Sequence, residues 1–409
     1  MTLTRRSFIS ASAASASPMA LLAFGESAKA QTIPVAAARP NYWDWFKYAP
    51  SVLSKWAVDQ TDNPNLVELQ PIRRLTSGVY KRVLVIYPRP STAYDIAITK
   101  ILEAFEDKTL DVQITVVNFG NDASRGRAIM KNAEIIGYDI ILSMGSETTA
   151  WLWDVYRGGK MPVITVCSKD PVVLGQSPGY NRGSGTNFAF TSLNMPIDVQ
   201  MAYVNELKPK LRNIAVLVDS KNISAIETQA KPVIDYAKSR AIRSLEITVQ
   251  NPANAQAELE KLVRDATAQM LRNDPDLSNS IFWVTGSTAV FREIATINAN
   301  SSRAAVLSVV PEIVRGGDDS AVLSIGISFE SNAYLAAIYA ADVLRGRAKV
   351  SELKVGIVTP PDIAISFRKI RDIGMTIPLS FFEAASTIYD YDGKIVRIDG
   401  ASVIPGQNG

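Results

Sequence analysis

The 409-residue chain contains no histidine and one cysteine, Cys167. Without histidine there is no imidazole proton shuttle, no Ser-His-Asp triad, no Cys-His dyad and no His-ligated metal. A single thiol excludes an intrachain disulfide and the usual multi-cysteine zinc sites. Neither charge sign dominates: 43 Lys and Arg stand against 40 Asp and Glu, a formal net charge of +3. That balance argues against the concentrated basic face a nucleic-acid binder needs, so no nucleic-acid partner is expected. Phosphate-binding loops are missing as well. Gly183-Ser184-Gly185 has Phe188 where a dinucleotide fingerprint requires its third glycine, and no Walker A sequence occurs. Ser351…Lys354 and Ser366…Lys369 match S-x-x-K but lack its companion motifs. No two carboxylates are spaced as a general acid with a nucleophile. Neither a cofactor nor a metal is expected, and the chain reads as a binding protein rather than an enzyme.

Past the N-terminus no apolar run approaches the roughly 20 residues of a membrane-spanning helix. The N-terminus itself reads as an export signal. Arg5-Arg6 forms a twin-arginine start, a weakly apolar stretch runs through Leu21, Leu22 and Phe24, and Ala28-Lys29-Ala30 supplies a cleavage site. Residues 1–30 are therefore expected to be a signal peptide, which places the mature protein in the periplasm.

The rest is too long for one ordinary core, so two lobes are expected. Residues 31–79 are rich in Trp and Pro and read as a short helix or two wrapping the outside of a lobe, with Trp43, Trp45 and Trp56 covering a neighbouring core. Strands then alternate with helices, the pattern of a doubly wound α/β unit. Val83-Leu84-Val85-Ile86-Tyr87 is the first short apolar run, followed by strands at 112–117, 139–143 and 163–167. Ile214-Ala215-Val216-Leu217-Val218 opens a second series, with strands at 245–249, 281–284 and 305–309. A helix with Tyr334, Ile338, Ala341 and Leu344 along one face follows, and Asp392-Gly393 marks a hairpin turn. The expected architecture is two doubly wound parallel-sheet lobes with a ligand cleft between them. Lobe 1 takes 80–191 plus about 328–350, lobe 2 takes 192–327 plus about 351–400, and 401–409 is a flexible tail.

In open parallel sheets, ligands bind at the carboxyl ends of the strands. Those ends carry Ser91 and Tyr94 after the first strand, then Ser146, Glu147 and Thr148 after the third. Ser168 and Asp170 follow the fourth; Asn222, Thr285, Ser287 and Glu312 stand at matching places in the second series. Individually, Ser91, Ser146 and Ser287 suit helix capping. Together, facing one another across two lobes, the set describes a ligand cleft.

Several segments resemble the substrate-binding proteins of ABC transporters of the tryptophan/tyrosine-binding type, within the type 1 periplasmic binding protein fold. They are Asp139–Glu147 (DIILSMGSE), Pro162–Pro171 (PVITVCSKDP), Gly183–Phe188 (GSGTNF), Leu207–Asp219 (LKPKLRNIAVLVD) and Ile325–Gly346 (IGISFESNAYLAAIYAADVLRG). The resemblance implies a small solute bound between two lobes and handed to a permease in the cytoplasmic membrane, and a monomer. It implies amino acids, often aromatic, or related small molecules as ligands. At the site the chain differs from relatives. Pro88-Arg89-Pro90-Ser91 replaces a His-Pro segment, Ser146-Glu147-Thr148 follows Gly145 where Thr-Pro-Ala is usual, and Thr285–Thr288 lacks an acid common there.

Ser91, Ser146, Thr148, Ser168, Asn222 and Ser287 are thus expected to contact the solute's polar head, with Tyr94 or Trp151 over its apolar part. Glu147, Asp170 or Glu312 can serve an amine. Two rivals remain: the ligand-binding subunit of a membrane sensor, and an exported hydrolase using carboxylates or a Ser-Lys pair.

Overall fold

The computed structural model describes residues 42–403. The expected signal peptide, with Arg5 and Arg6, lies outside the described residues.

The first sheet has seven strands: β1 (Trp56–Gln60), β2 (Leu66–Pro71), β3 (Lys81–Tyr87), β4 (Val112–Asn118), β5 (Ile140–Met144), β6 (Val163–Val166) and β7 (Phe188–Ala189). Their order is β1-β2-β4-β3-β5-β6-β7, with β4 through β7 parallel and the β1–β2 hairpin antiparallel on the edge. Helices α1 (Thr92–Asp107), α2 (Ala123–Ile136) and α3 (Gly145–Tyr156) connect them. A short strand, β8 (Thr191–Ser192), precedes the crossing to the second lobe.

There, α4 (Ile197–Leu207) leads into β9 (Asn213–Asp219). A continuous helical run follows: α5 (Ile223–Ala225), a π-helical stretch (Ile226–Ala230) and α6 (Lys231–Ser239). Next come β10 (Arg243–Val249), α7 (Ala255–Met270), β11 (Ser280–Val284), α8 (Thr288–Phe291), α9 (Ile294–Asn300), β12 (Ala305–Ser308) and β13 (Leu323–Gly326). The chain returns with α10 (Phe329–Leu344), which packs on α1 and β6, and β14 (Gly356–Ile357), which pairs with β8. It crosses once more into β15 (Asp362–Ser366), α11 (Phe367–Ile373), α12 (Leu379–Ala384), β16 (Ala385–Tyr389), β17 (Ile395–Ile398) and β18 (Ala401–Ser402). The second sheet thus has nine strands, ordered β10-β9-β11-β12-β13-β15-β16-β17-β18.

The central strands are continuous apolar runs because helices cover both faces, so no position alternates toward water. All seven residues of β9 are buried, as are the last five of β3. In both sheets the first central strand, β3 or β9, has its successor on one side and the next strand on the other. Each sheet therefore has a topological switch point, between β3 and β5 and between β9 and β11, where loops diverge and leave a crevice.

Three local expectations are corrected. The Trp-rich segment holds two 3₁₀ turns, Tyr42–Asp44 and Pro50–Ser54, and then the β1–β2 hairpin rather than a second helix. Its second strand, Leu-Val-Glu-Leu-Gln-Pro, buries every other residue, the period-two signature of a strand. Trp45 and Trp56 are buried, while Trp43 is exposed. Helix α10 turns alanines inward (Ala333, Ala336, Ala337, Ala340 and Ala341) and leaves Tyr334 42% exposed, because small side chains let it lie close against α1. The β16–β17 hairpin forms, but its loop spans Asp390–Lys394, held by Asp390 Oδ1 accepting from the amides of Asp392 and Lys394. Among the described residues no helix is long and apolar enough to cross a membrane, and no acidic or thiol cluster is arranged for a metal.

Candidate ligand cleft between the two sheets

The carboxyl ends of β3, β5 and β6 face those of β9, β11, β12 and β13 across a cavity of about 650 Å³, a volume that includes its mouth. Arg89, Ser91 and Tyr94 reach it from the segment after β3, Ser146 and Glu147 from the start of α3, and Cys167 and Lys169 from the loop after β6. The second lobe contributes Asn222, Ser224 and Gln229 from the helical run after β9, and Gly286 and Thr288 from the loop after β11. Both switch points therefore open into one space. Its apolar wall is built by Phe291, Val309, Val310, Ile327 and Phe329.

Local chemistry explains how the polar residues come to face inward. Ser91 precedes α1 as its N-cap residue, yet its side chain makes no capping bond, and it is buried at the cavity. Ser146 is inside the first turn of α3, where its Oγ accepts from the Lys169 amide at 3.0 Å. Ser287 also makes no cap bond; its Oγ accepts from the Asp219 amide at 3.4 Å and lies 3.0 Å from Thr285 Oγ1, to which its hydroxyl donates. Asn222 does cap: Oδ1 accepts from the Ala225 amide at 3.1 Å and from Ser224 Oγ at 3.0 Å.

Gly145 shapes the first wall. Its φ of +76° is a left-handed conformation, and a Cβ there would stand 2.0 Å from Tyr94 Oη. The missing side chain lets the Tyr94 ring lie over the start of α3. Burial pushes the Tyr94 phenol well above its ordinary pKa, so it stays protonated.

The charged residues lining the cavity are Arg89, Glu147 and Lys169. Arg89 Nε and Glu147 Oε2 pair at 2.9 Å in a half-exposed position. Lys169 is only 8% exposed, and its ammonium makes neither an ion pair nor a hydrogen bond among the described residues. Loss of hydration pushes its pKa down to about 8, while nearby Glu147 opposes the shift and Arg89 adds to it. The adjoining Cys167 thiol is pushed up by burial, which keeps it protonated and unreactive.

Of the residues expected at the site, Ser91, Tyr94, Ser146, Glu147 and Asn222 line this cavity. Thr148 and Ser168 are buried nearby with hydroxyls that find no partner. Thr285 and Ser287 stand behind the wall, with Thr285 Oγ1 donating to the Leu217 carbonyl at 2.8 Å. Both Asp170 oxygens are occupied: Oδ1 accepts from the amides of Val172 and Val173, and Oδ2 from the Tyr180 hydroxyl. Glu312 faces a different cavity, together with Lys100, Glu330 and Asp362. Trp151 stacks on Phe119 with centroids 4.9 Å apart, away from the cleft.

Lys169 and Gln229 were not singled out in the sequence. Lys169 sits between two expected residues, and a strand-end lysine usually points to water. Gln229 Oε1 accepts from the Gly286 amide at 2.7 Å. It is brought there by the π-helical stretch, a local widening that no residue pattern in the sequence announces.

Comparisons place these features. The sequence profile of the family described as ABC transporter substrate binding protein matches residues 83–388. No curated protein sequence matches the chain. A conserved domain protein from Vibrio cholerae superposes with TM-score 0.60 at 15% identity, covering 76% of this chain and 100% of that one. An ABC domain in complex with L-Trp from Streptococcus pneumonia gives TM-score 0.60 at 17% identity, with coverage of 76% and 100%. The ligand-free, open structure of a substrate binding protein with adhesive properties from Clostridium difficile gives 0.56 at 18%, with 76% and 99%. These likenesses establish the type 1 periplasmic-binding-like fold.

Proposed function

The chain belongs to the family of ABC transporter substrate binding proteins, and from that membership we propose that its cleft captures an amino acid or a small carboxylate for delivery to an ABC permease. One observation carries this reading: loops from the switch points of both sheets converge on a single cavity with polar groups on both sides and an apolar wall. Phe291 and Phe329 in the apolar wall favour a ligand with an aromatic or branched body. A solute touching both lobes favours the closed arrangement through its extra contacts there.

Arg5-Arg6 and the Ala28-Lys29-Ala30 site support export through the twin-arginine pathway to the periplasm. The protein acts there as a monomeric receptor without turnover. A thermal-shift screen of the chain from Gln31 onward, against amino acids, aromatic acids and small carboxylates, tests the reading, since a ligand of the native state raises the midpoint. Binding should weaken in Ser91→Ala and Asn222→Ala. A ligand whose affinity is unchanged in both variants would place the site elsewhere.

A further inference from the structure

We propose that Lys169 reads the charge of the solute, so that the cleft selects small organic monoanions whose carboxylate pairs with its ammonium, and disfavours α-amino acids. The inference rests on the cleft being the solute site.

The first argument is satisfaction. Five charged residues are buried among the described residues: Asp111, Lys169, Asp170, Asp219 and Asp274. Four have partners within the protein. Asp111 is held by Arg73, Thr76 and Ser77, and Asp274 by Ser280 and Asn279. Asp170 is bonded through both oxygens, and Asp219 accepts from the Lys221 amide. Of the five, Lys169 alone has a charged group with neither a hydrogen bond nor an ion pair among the described residues. Burying an unpaired ammonium is costly, so a position that keeps one is poised for an anion from outside.

The second is placement. The Lys169 backbone is pinned by Ser146, and the next residue by Asn194 at 3.2 Å and by its own carboxylate network. Around the point where Gly286 would carry a Cβ, Lys169 Cε lies at 3.7 Å and Gln229 Nε2 at 3.5 Å. The absent side chain leaves room for the Lys169 side chain and the Gln229 amide, whose Oε1 is nearest at 3.2 Å, to meet at the second switch point.

The third is the charge balance of the lining. Arg89 and Glu147 neutralise each other, leaving one positive charge. A monocarboxylate completes that balance. The α-amine of an amino acid does not, because the one carboxylate in the lining already holds Arg89. Glu312 faces the other cavity and both Asp170 oxygens are taken. An ammonium brought in without an acceptor is rejected by its own desolvation.

The test uses the chain from Gln31 and matched probes: benzoate, 3-phenylpropionate and indole-3-acetate, their primary amides, and L-phenylalanine and L-tryptophan. Titration calorimetry is run on the wild type, on Lys169→Met, and on Lys169→Gln as a second neutral variant, each checked for folding by circular dichroism. The expected result is that a carboxylate binds the wild type, its amide binds at least 10-fold more weakly, and both variants lose on the order of 100-fold in carboxylate affinity. Amino acids or amides binding better than the acids, or carboxylate binding that survives both substitutions, overturns the role of Lys169 while leaving the solute cleft intact. No binding of any probe to the wild type counts against the cleft and Lys169 together.

Discussion

Replacing Lys169 with methionine should stabilise the ligand-free protein, although it removes a charged group from the binding site. The side chain is 8% exposed, and burial holds its pKa at about 8 against an ordinary 10.5. Because the unfolded chain binds this proton more tightly, the penalty is fully present below about pH 8 and fades as pH rises toward 10.5. At 1.36 kcal/mol per pH unit, the folded protein forfeits about 3 kcal/mol at pH 7, about 2 kcal/mol at pH 9 and under about 1 kcal/mol at pH 10. Methionine is unbranched, fills similar space and carries no charge to desolvate. Urea denaturation of both proteins, refolded to strip any bound solute, should show the variant more stable at pH 7 and the gap closing by pH 10. Other lysines and tyrosines titrate in both proteins, so the difference isolates this residue. A variant less stable than the wild type at pH 7, or a gap that does not change with pH, would refute the account of Lys169 as an uncompensated cation.

Gly145→Ala should cost about 1–2 kcal/mol from its left-handed backbone alone and drive the Tyr94 ring into the cavity, weakening solute binding; denaturation and calorimetry would register both. Glu312 has its carboxyl raised to about 7, mainly by desolvation, and its Oε2 has no partner. For an acid raised in this way the penalty is absent below about pH 4.5, builds between there and about pH 7, and is fully present above. Glu312→Gln should therefore stabilise the protein at pH 8 by about 2 kcal/mol, after discounting its partial exposure, and have no effect at pH 4.5. Tyr180→Phe removes a donor from buried Asp170 and should cost about 1–3 kcal/mol by urea denaturation.

The architecture was legible because apolar runs and helical periods alternate twice along the chain. The central strands begin and end within a residue or two of where those runs place them. Edges were less readable. The β1–β2 hairpin hides among prolines and tryptophans, and α10 carries apolar residues almost all round, so periodicity could not single out its alanine face. At the site, strand-end logic found the segments, while side-chain direction chose among their residues. Ser91 and Ser146 face the cavity; Thr285 and Ser287, two residues apart, are absorbed in bonds to each other and to the β9 backbone. Asp170 works one step removed, tying down the loop that presents Lys169. The notable residue was flanked by the expected ones.

The π-helical stretch at Ile226–Ala230 has a consequence for how this wall can change over generations. Each residue of an α-helix turns the chain by about 100°, so adding or losing one would ordinarily swing everything beyond it out of register. A π-helical turn, with its wider i to i+5 spacing, can take up such a change within a single turn. Asn222 and Ser224 upstream keep their places at the cavity, and Val233 and Ala237 downstream keep theirs in the core. A one-codon insertion or deletion within this turn is thus a way to exchange the side chain presented beside Gly286 without repacking the rest of the lobe. Selectivity can drift at this position while the scaffold stays the same.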